Sequence, residues 1–104
     1  MYLIHVLLPL YDNLGNPLPK SLFANVRDEL IERFGGLTAH TRSPVSGLWQ
    51  QDEDDSQAVH DELIIYEVMT SGLDSAWWQA YRTSLETRFR QEQVLIRAHR
   101  IEVL

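Results

Sequence analysis

Few side chains in this sequence could do chemistry, and most of them interrupt otherwise apolar runs at alternating positions. His5 lies within Leu3-Ile4-His5-Val6-Leu7, Glu67 within Leu63 to Met69, and Arg97 and His99 two residues apart near the C-terminal end. A carboxylate on an apolar strand face has to reach water, find a partner or take up a proton, because an unpaired buried charge is very costly. If the strands carrying His5 and Glu67 are neighbours, the two form an acid–base pair, with His5 as base and Glu67 holding it in orientation. Arg97 or His99 on a further strand would then stabilise an anionic or enolate oxygen. The same groups also read as polar contacts satisfying one another in a subunit interface, since ion-pair networks perturb proton affinities without catalysis. Both readings stay open at this stage.

Three further residues are candidates for ligand binding. Trp49 is the one large apolar anchor in the aperiodic stretch Val45 to Asp61, a connection long enough to be an extended hairpin, a lid or a mobile loop. His40 and Arg42 alternate along a short strand-like segment, and the face they take depends on its register. Trp77 and Trp78 carry helical core spacing and are expected to pack. No metal site is expected. The acidic run Asp52-Glu-Asp-Asp55 lacks the alternating, glycine-containing pattern of a calcium loop, and His60-Asp-Glu62 lacks the two-histidine spacing of a zinc hydrolase. The chain has no cysteine, no phosphate-cradling glycine loop and no Gly-x-Ser-x-Gly elbow. No cofactor is implied.

The elements that must position these residues follow from hydrophobic periodicity. Tyr2 to Leu8 alternates as an inner strand and ends at Pro9 and the turn formers Asp12 to Pro17. From Pro19 to Phe34 the period changes to the helical one, with Leu22, Phe23, Val26, Leu30 and Phe34 on one face and Gly35-Gly36 as the stop. Leu37 to Ser43 is a short strand with one wetter face. Glu62 to Thr70 is the central strand, rich in branched and aromatic residues. Asp74 stands at an N-cap position before a second helix whose residues Trp77, Trp78, Tyr81, Leu85 and Phe89 repeat at helical spacing. Val94 to Leu104 alternates as a fourth strand.

The order strand, helix, strand, strand, helix, strand specifies an α+β fold of the ferredoxin-like βαββαβ kind, with an antiparallel sheet ordered fourth, first, third, second. Residues 1–104 are read as one domain, the size expected of a chain of 104 residues. Ile4, Val6, Ile64, Tyr66, Val68, Val94, Ile96 and Ala98 are expected beneath the helices. The other face carries Leu3, His5, Leu7, Leu63, Ile65, Glu67, Met69, Arg97, His99 and Ile101. It is too apolar to be left in water, and a second copy of the sheet is the simplest cover.

Composition bounds the partners. A formal charge of −6 argues against a duplex-binding surface, and no run approaches the roughly 20 apolar residues of a membrane span. Neither nucleic acid nor membrane is expected, and a cytoplasmic location is the default. The apolar start lacks a basic leading segment and a cleavage pattern, and so resembles a strand more than a signal peptide.

The element order resembles that of the dimeric α+β barrel superfamily, in which two ferredoxin-like subunits pack sheet against sheet. Within it, Phe34-Gly-Gly-Leu-Thr38 and Gly47-Leu-Trp49 resemble passages of an uncharacterised family of small barrel proteins. The superfamily includes antibiotic-biosynthesis-type monooxygenases, muconolactone isomerase and chlorite dismutase-like haem proteins, so the fold alone assigns no activity. What the resemblance implies is a homodimer enclosing a small apolar pocket. Its chemistry would be cofactor-independent oxygenation or isomerisation of a small organic ligand; the rival is a non-catalytic binding or assembly module.

Overall fold

The structure, a computed structural model, describes residues 1–42 and 62–104. In chain order the elements are β1 (Tyr2–Pro9), α1 (Lys20–Phe34), β2 (Thr38–Arg42), β3 (Leu63–Thr70), α2 (Ser75–Arg88) and β4 (Leu95–Arg100). The strands form one antiparallel sheet in the order β2-β3-β1-β4. This is the strand order expected from the sequence, and the α+β architecture is compatible with a ferredoxin-like arrangement.

Each element forms for a local reason. In β1 the buried Ile4, Val6 and Leu8 alternate with the half-buried Leu3, His5 and Leu7, the two-residue period of a strand with two different environments. Helix α1 presents Val26 and Leu30 to the core and stops at Gly35. There φ is 82° and the amide N–H donates to the Ile31 carbonyl at 2.7 Å. Glycine suits this left-handed position because it carries no Cβ. Helix α2 begins where the Asp74 carboxylate accepts a hydrogen bond from the Trp77 amide at 3.1 Å.

The core lies between the two helices and one face of the sheet. Ile4, Val6, Leu8, Tyr66, Val68, Val26, Leu30, Trp78, Leu85 and Phe89 form its buried cluster. Aromatic packing fixes the seam between the helices: Phe34 stacks on Trp78 with ring centroids 5.2 Å apart and meets Trp77 edge-on at 5.6 Å. The Tyr66 hydroxyl donates to the Phe23 carbonyl at 3.1 Å, tying β3 to α1. On the outer side of the helices, Glu29 accepts from Arg88 Nη1 and Nη2 at 3.1 and 2.9 Å and from the Tyr81 hydroxyl at 2.8 Å.

Two expectations change at β4. The strand ends at Arg100 rather than Leu104, because the register Tyr2↔Arg100 uses up β1 and the Ile101 N–H to the Met1 carbonyl, 2.9 Å, is the last rung. Ala98 is exposed and Ile96 only half-buried. A cleft of about 190 Å³ between the start of α2 and β4, lined by Ile4, Trp78, Ile96 and Ala98 among others, leaves that part of the helix-side face uncovered.

Two predictions follow from these helix contacts. Asp74→Ala leaves an amide of the first turn of α2 without its partner and lowers stability by about 1 kcal/mol, measured by urea unfolding. For Glu29, burial alone would raise the carboxyl pKa. The hydrogen bonds from Arg88 and Tyr81, with the Arg88 charge, outweigh burial and hold it below its ordinary value. A folded-state pKa below the unfolded one adds stability above the unfolded pKa and loses it as pH falls through the folded value. Wild type is therefore more stable than Glu29→Gln near neutral pH, and acid titration of both proteins shows the difference vanishing below the ordinary carboxylate range.

Candidate functional site

The sheet face opposite the helices is laid out in rows by strand register. Arg97 pairs with His5, His5 with Glu67, and Glu67 with Thr38, so one polar row crosses all four strands. The row on one side runs Leu95, Leu7, Ile65 and His40, and the row on the other runs His99, Leu3 and Met69. A polar stripe is thus flanked by two largely apolar rows, each ending in a histidine. Because side chains alternate along a strand, every one of these positions takes the same face.

His5 and Glu67 meet as the alternation requires. His5 Nε2 lies 2.8 Å from Glu67 Oε1, and the two side chains are 18% and 25% exposed. His40 Nε2 approaches the same oxygen at 3.5 Å, and the ring of His99 packs edge-on against His5 with centroids 5.7 Å apart. The contact assigns the tautomer: an Nε2–H that donates to the carboxylate leaves the lone pair on Nδ1. The opposite tautomer would set two lone pairs against each other across 2.8 Å. It would also bury an N–H at Nδ1, which has no hydrogen-bond partner among the described residues.

Accessibility separates the two members of the pair. Both ring nitrogens of His5 are withdrawn, Nε2 by its bond to Glu67 and Nδ1 by burial. Glu67 differs. Its second oxygen, Oε2, has no partner among the described residues, and the residue borders a groove of about 290 Å³ with Phe34, Gly36, Leu37, Thr38 and Met69.

The other expected site residues divide. Arg97 lies directly across β1 in register with His5, is exposed, and makes no ion pair among the described residues. Arg42 pairs in register with Leu63, four positions along β2 from the residue opposite Glu67, which is roughly 13 Å of strand. Trp49, the Gly47-Leu-Trp49 passage and the acidic run Asp52 to Asp55 lie outside the described residues. Thr38 and the groove at Gly35-Gly36 were not assigned a role from sequence. The phase of β2 against β3 was the signal that could have found Thr38, since it sets which residue faces Glu67.

The described residues contain no group of three or more His, Cys, Asp or Glu side chains placed to hold a metal ion. None of their helices is long and apolar enough to cross a membrane. The chain matches no family model, no curated protein and no solved structure. The resemblance to dimeric α+β barrels therefore rests on element order and two short motifs.

The tautomer gives a direct check on the site. Nitrogen NMR of neutral His5 should show the proton on Nε2 alone, and Glu67→Leu should release it into a mixture of both tautomers. A mixture already present in the wild type would mean that the carboxylate does not fix the ring.

Proposed function

We propose that this chain is a small-molecule-binding protein that pairs with a second copy through its open sheet face, as a dimeric α+β barrel, and exchanges a proton with the bound molecule at Glu67. The observation carrying the proposal is the His5–Glu67 contact at 2.8 Å, with the second carboxylate oxygen unpartnered among the described residues and Glu67 bordering a groove. A carboxylate fixed on one oxygen and open on the other can take a proton and give it back. His5 acts here as the positioning residue and Glu67 as the base, the reverse of the roles read from sequence, because neither nitrogen of His5 is open to a ligand.

The reaction class that suits this arrangement is isomerisation without a cofactor. Glu67 removes the α-proton of a β,γ-unsaturated carbonyl compound, the C–H electron pair shifts into a dienolate, and the protonated Glu67 returns the proton at the γ-carbon as the double bond moves to the α,β position. Atoms and electrons balance without a second substrate. Arg97 stands two strands from Glu67, roughly 10 Å across the sheet, and stabilises the enolate oxygen of a molecule lying over His5. Pairing of two copies is supported by apolar side chains left on this face, with Met69 54% and Leu95 46% exposed beside Leu3, Leu7 and Ile65. Burying them against an identical surface removes them from water.

Sedimentation and proton–deuterium exchange into enolisable carbonyl compounds test the proposal together. Wild type should sediment as a dimer and catalyse exchange. Glu67→Gln keeps the dimer but reduces exchange by at least about a hundredfold, the usual size of a general-base contribution. His5→Gln should lower the rate less and change its pH profile. A monomer at micromolar concentration removes the paired barrel. Dissociation of the dimer by both variants, with no exchange in wild type, makes the pair a structural contact in an assembly module.

A further inference from the structure

The groove beside Glu67 has a chemical sign of its own. It is lined by the apolar residues Phe34, Leu37, Val68 and Met69 and by Gly35 and Gly36, and the residues among them with polar side chains are Thr38 and Glu67. It also lies at the C-terminal end of α1, the negative end of the helix dipole. The carbonyls of Glu32, Arg33 and Phe34 accept no backbone hydrogen bond among the described residues, so that end is not neutralised by backbone donors.

Nearby cations are turned elsewhere. Arg33, in the last turn of α1, lies over the Trp77 ring at 4.1 Å and 3.6 Å from Asp74 Oδ2, and it does not line the groove. His40 approaches Glu67 Oε1 but is likewise not part of the groove wall. Arg97 lies on the other side of His5.

The glycines define the opening. Gly35 needs its positive φ of 82° to end the helix, but Gly36 has no such requirement. A Cβ added at Gly36 would meet no atom within 4 Å. Neither backbone conformation nor packing within the chain demands glycine there, and its lack of a side chain keeps that rim of the groove open.

We infer that the groove is a subsite for a hydrophobic amine: it takes a ligand or substituent with an apolar body and a cationic nitrogen, accepts neutral hydrogen-bond donors more weakly, and refuses anions. The inference rests on the reading of the Glu67 face as a ligand site and adds the ligand's chemical class. It also gives the ligand a direction across the sheet, with carbonyl or anionic oxygen towards Arg97 on β4 and the amine towards the β2 side. A carboxylate in this position would face Glu67 and the helix end together, with no cation in the wall to offset them.

The test is amide NMR of the full chain in its solution state, titrated with benzylamine, benzyl alcohol and benzoate, three probes of nearly the same body. Benzylamine should shift the amides of Gly35, Gly36, Leu37, Thr38 and Met69, bind about tenfold more tightly than benzyl alcohol, and weaken with added salt. Benzoate should leave those amides unmoved. Glu67→Gln should bring benzylamine down to the level of benzyl alcohol. Gly36→Leu, a change the backbone tolerates, should weaken both without altering the unfolding midpoint. Equal or tighter binding of benzoate at these amides overturns the inference. So does benzylamine binding only near Leu3, Leu7 and Arg97, although the broader reading of the face survives that result. Absence of shifts anywhere on the face with all three probes removes both.

Discussion

A hydrogen bond between β1 and β3 requires their backbone register before it requires any particular side chain. Glu67 can reach His5 only because the two are direct cross-strand partners, and the same register brings Thr38 and Arg97 into the row. Side chains alternate with a period of two, so a slip of one residue would turn His5 or Glu67 into the core among Ile4, Val6, Tyr66 and Val68. That core, closed by Val26, Leu30, Leu85 and Phe89 from the helices, is largely apolar, and its tyrosine hydroxyls are already engaged, Tyr66 by the Phe23 carbonyl and Tyr81 by Glu29. The apolar packing on one side of the sheet therefore enforces the polar stripe on the other.

The two sides of the molecule treat carboxylates differently. On the helix side, both Glu29 oxygens are occupied, by a bidentate Arg88 and by Tyr81, and burial together with the Glu29 contact raises the Tyr81 hydroxyl far above its usual range. Every oxygen there is matched, and the cluster holds two helices together. On the open face only one oxygen of Glu67 is engaged by His5, and the matching cation, Arg97, stands beyond it across a strand. A satisfied carboxylate clamps structure; one with an oxygen unpartnered among the described residues can receive a ligand. That contrast is the physical basis of the proposal at Glu67.

Much of this arrangement was legible in the sequence because strand phase is. His5, Glu67, Arg97 and His99 were assignable to one face from alternation alone, whereas the face of His40 waited on the register of β2, and the strand order followed from the sequence of helices and strands. The Asp74 cap and the Gly35 stop were readable because each rests on local hydrogen bonding within a few residues. The ends of β4 were not, since a strand's length depends on how much neighbouring strand remains to pair with. Nor was the exposure of Ala98, which depends on where a helix lies over the sheet. The proposed assignment of Glu67 as base and His5 as positioner was also out of reach, because it turns on which nitrogen is buried and which oxygen lacks a partner among the described residues.

The amino-acid sequence by itself determined the element types, their caps and the face on which the ionisable groups of β1, β3 and β4 would lie, all consequences of local backbone geometry and of a period of two or 3.6 residues. Tertiary structure decided the quantities that need two distant segments at once: 2.8 Å between His5 and Glu67, the tautomer that distance assigns, and the groove where the end of α1 meets β3. The physical reason is range. Hydrogen-bonded turns and side-chain alternation are settled between neighbours in the chain, whereas the distance from residue 5 to residue 67 is set only after the core has packed.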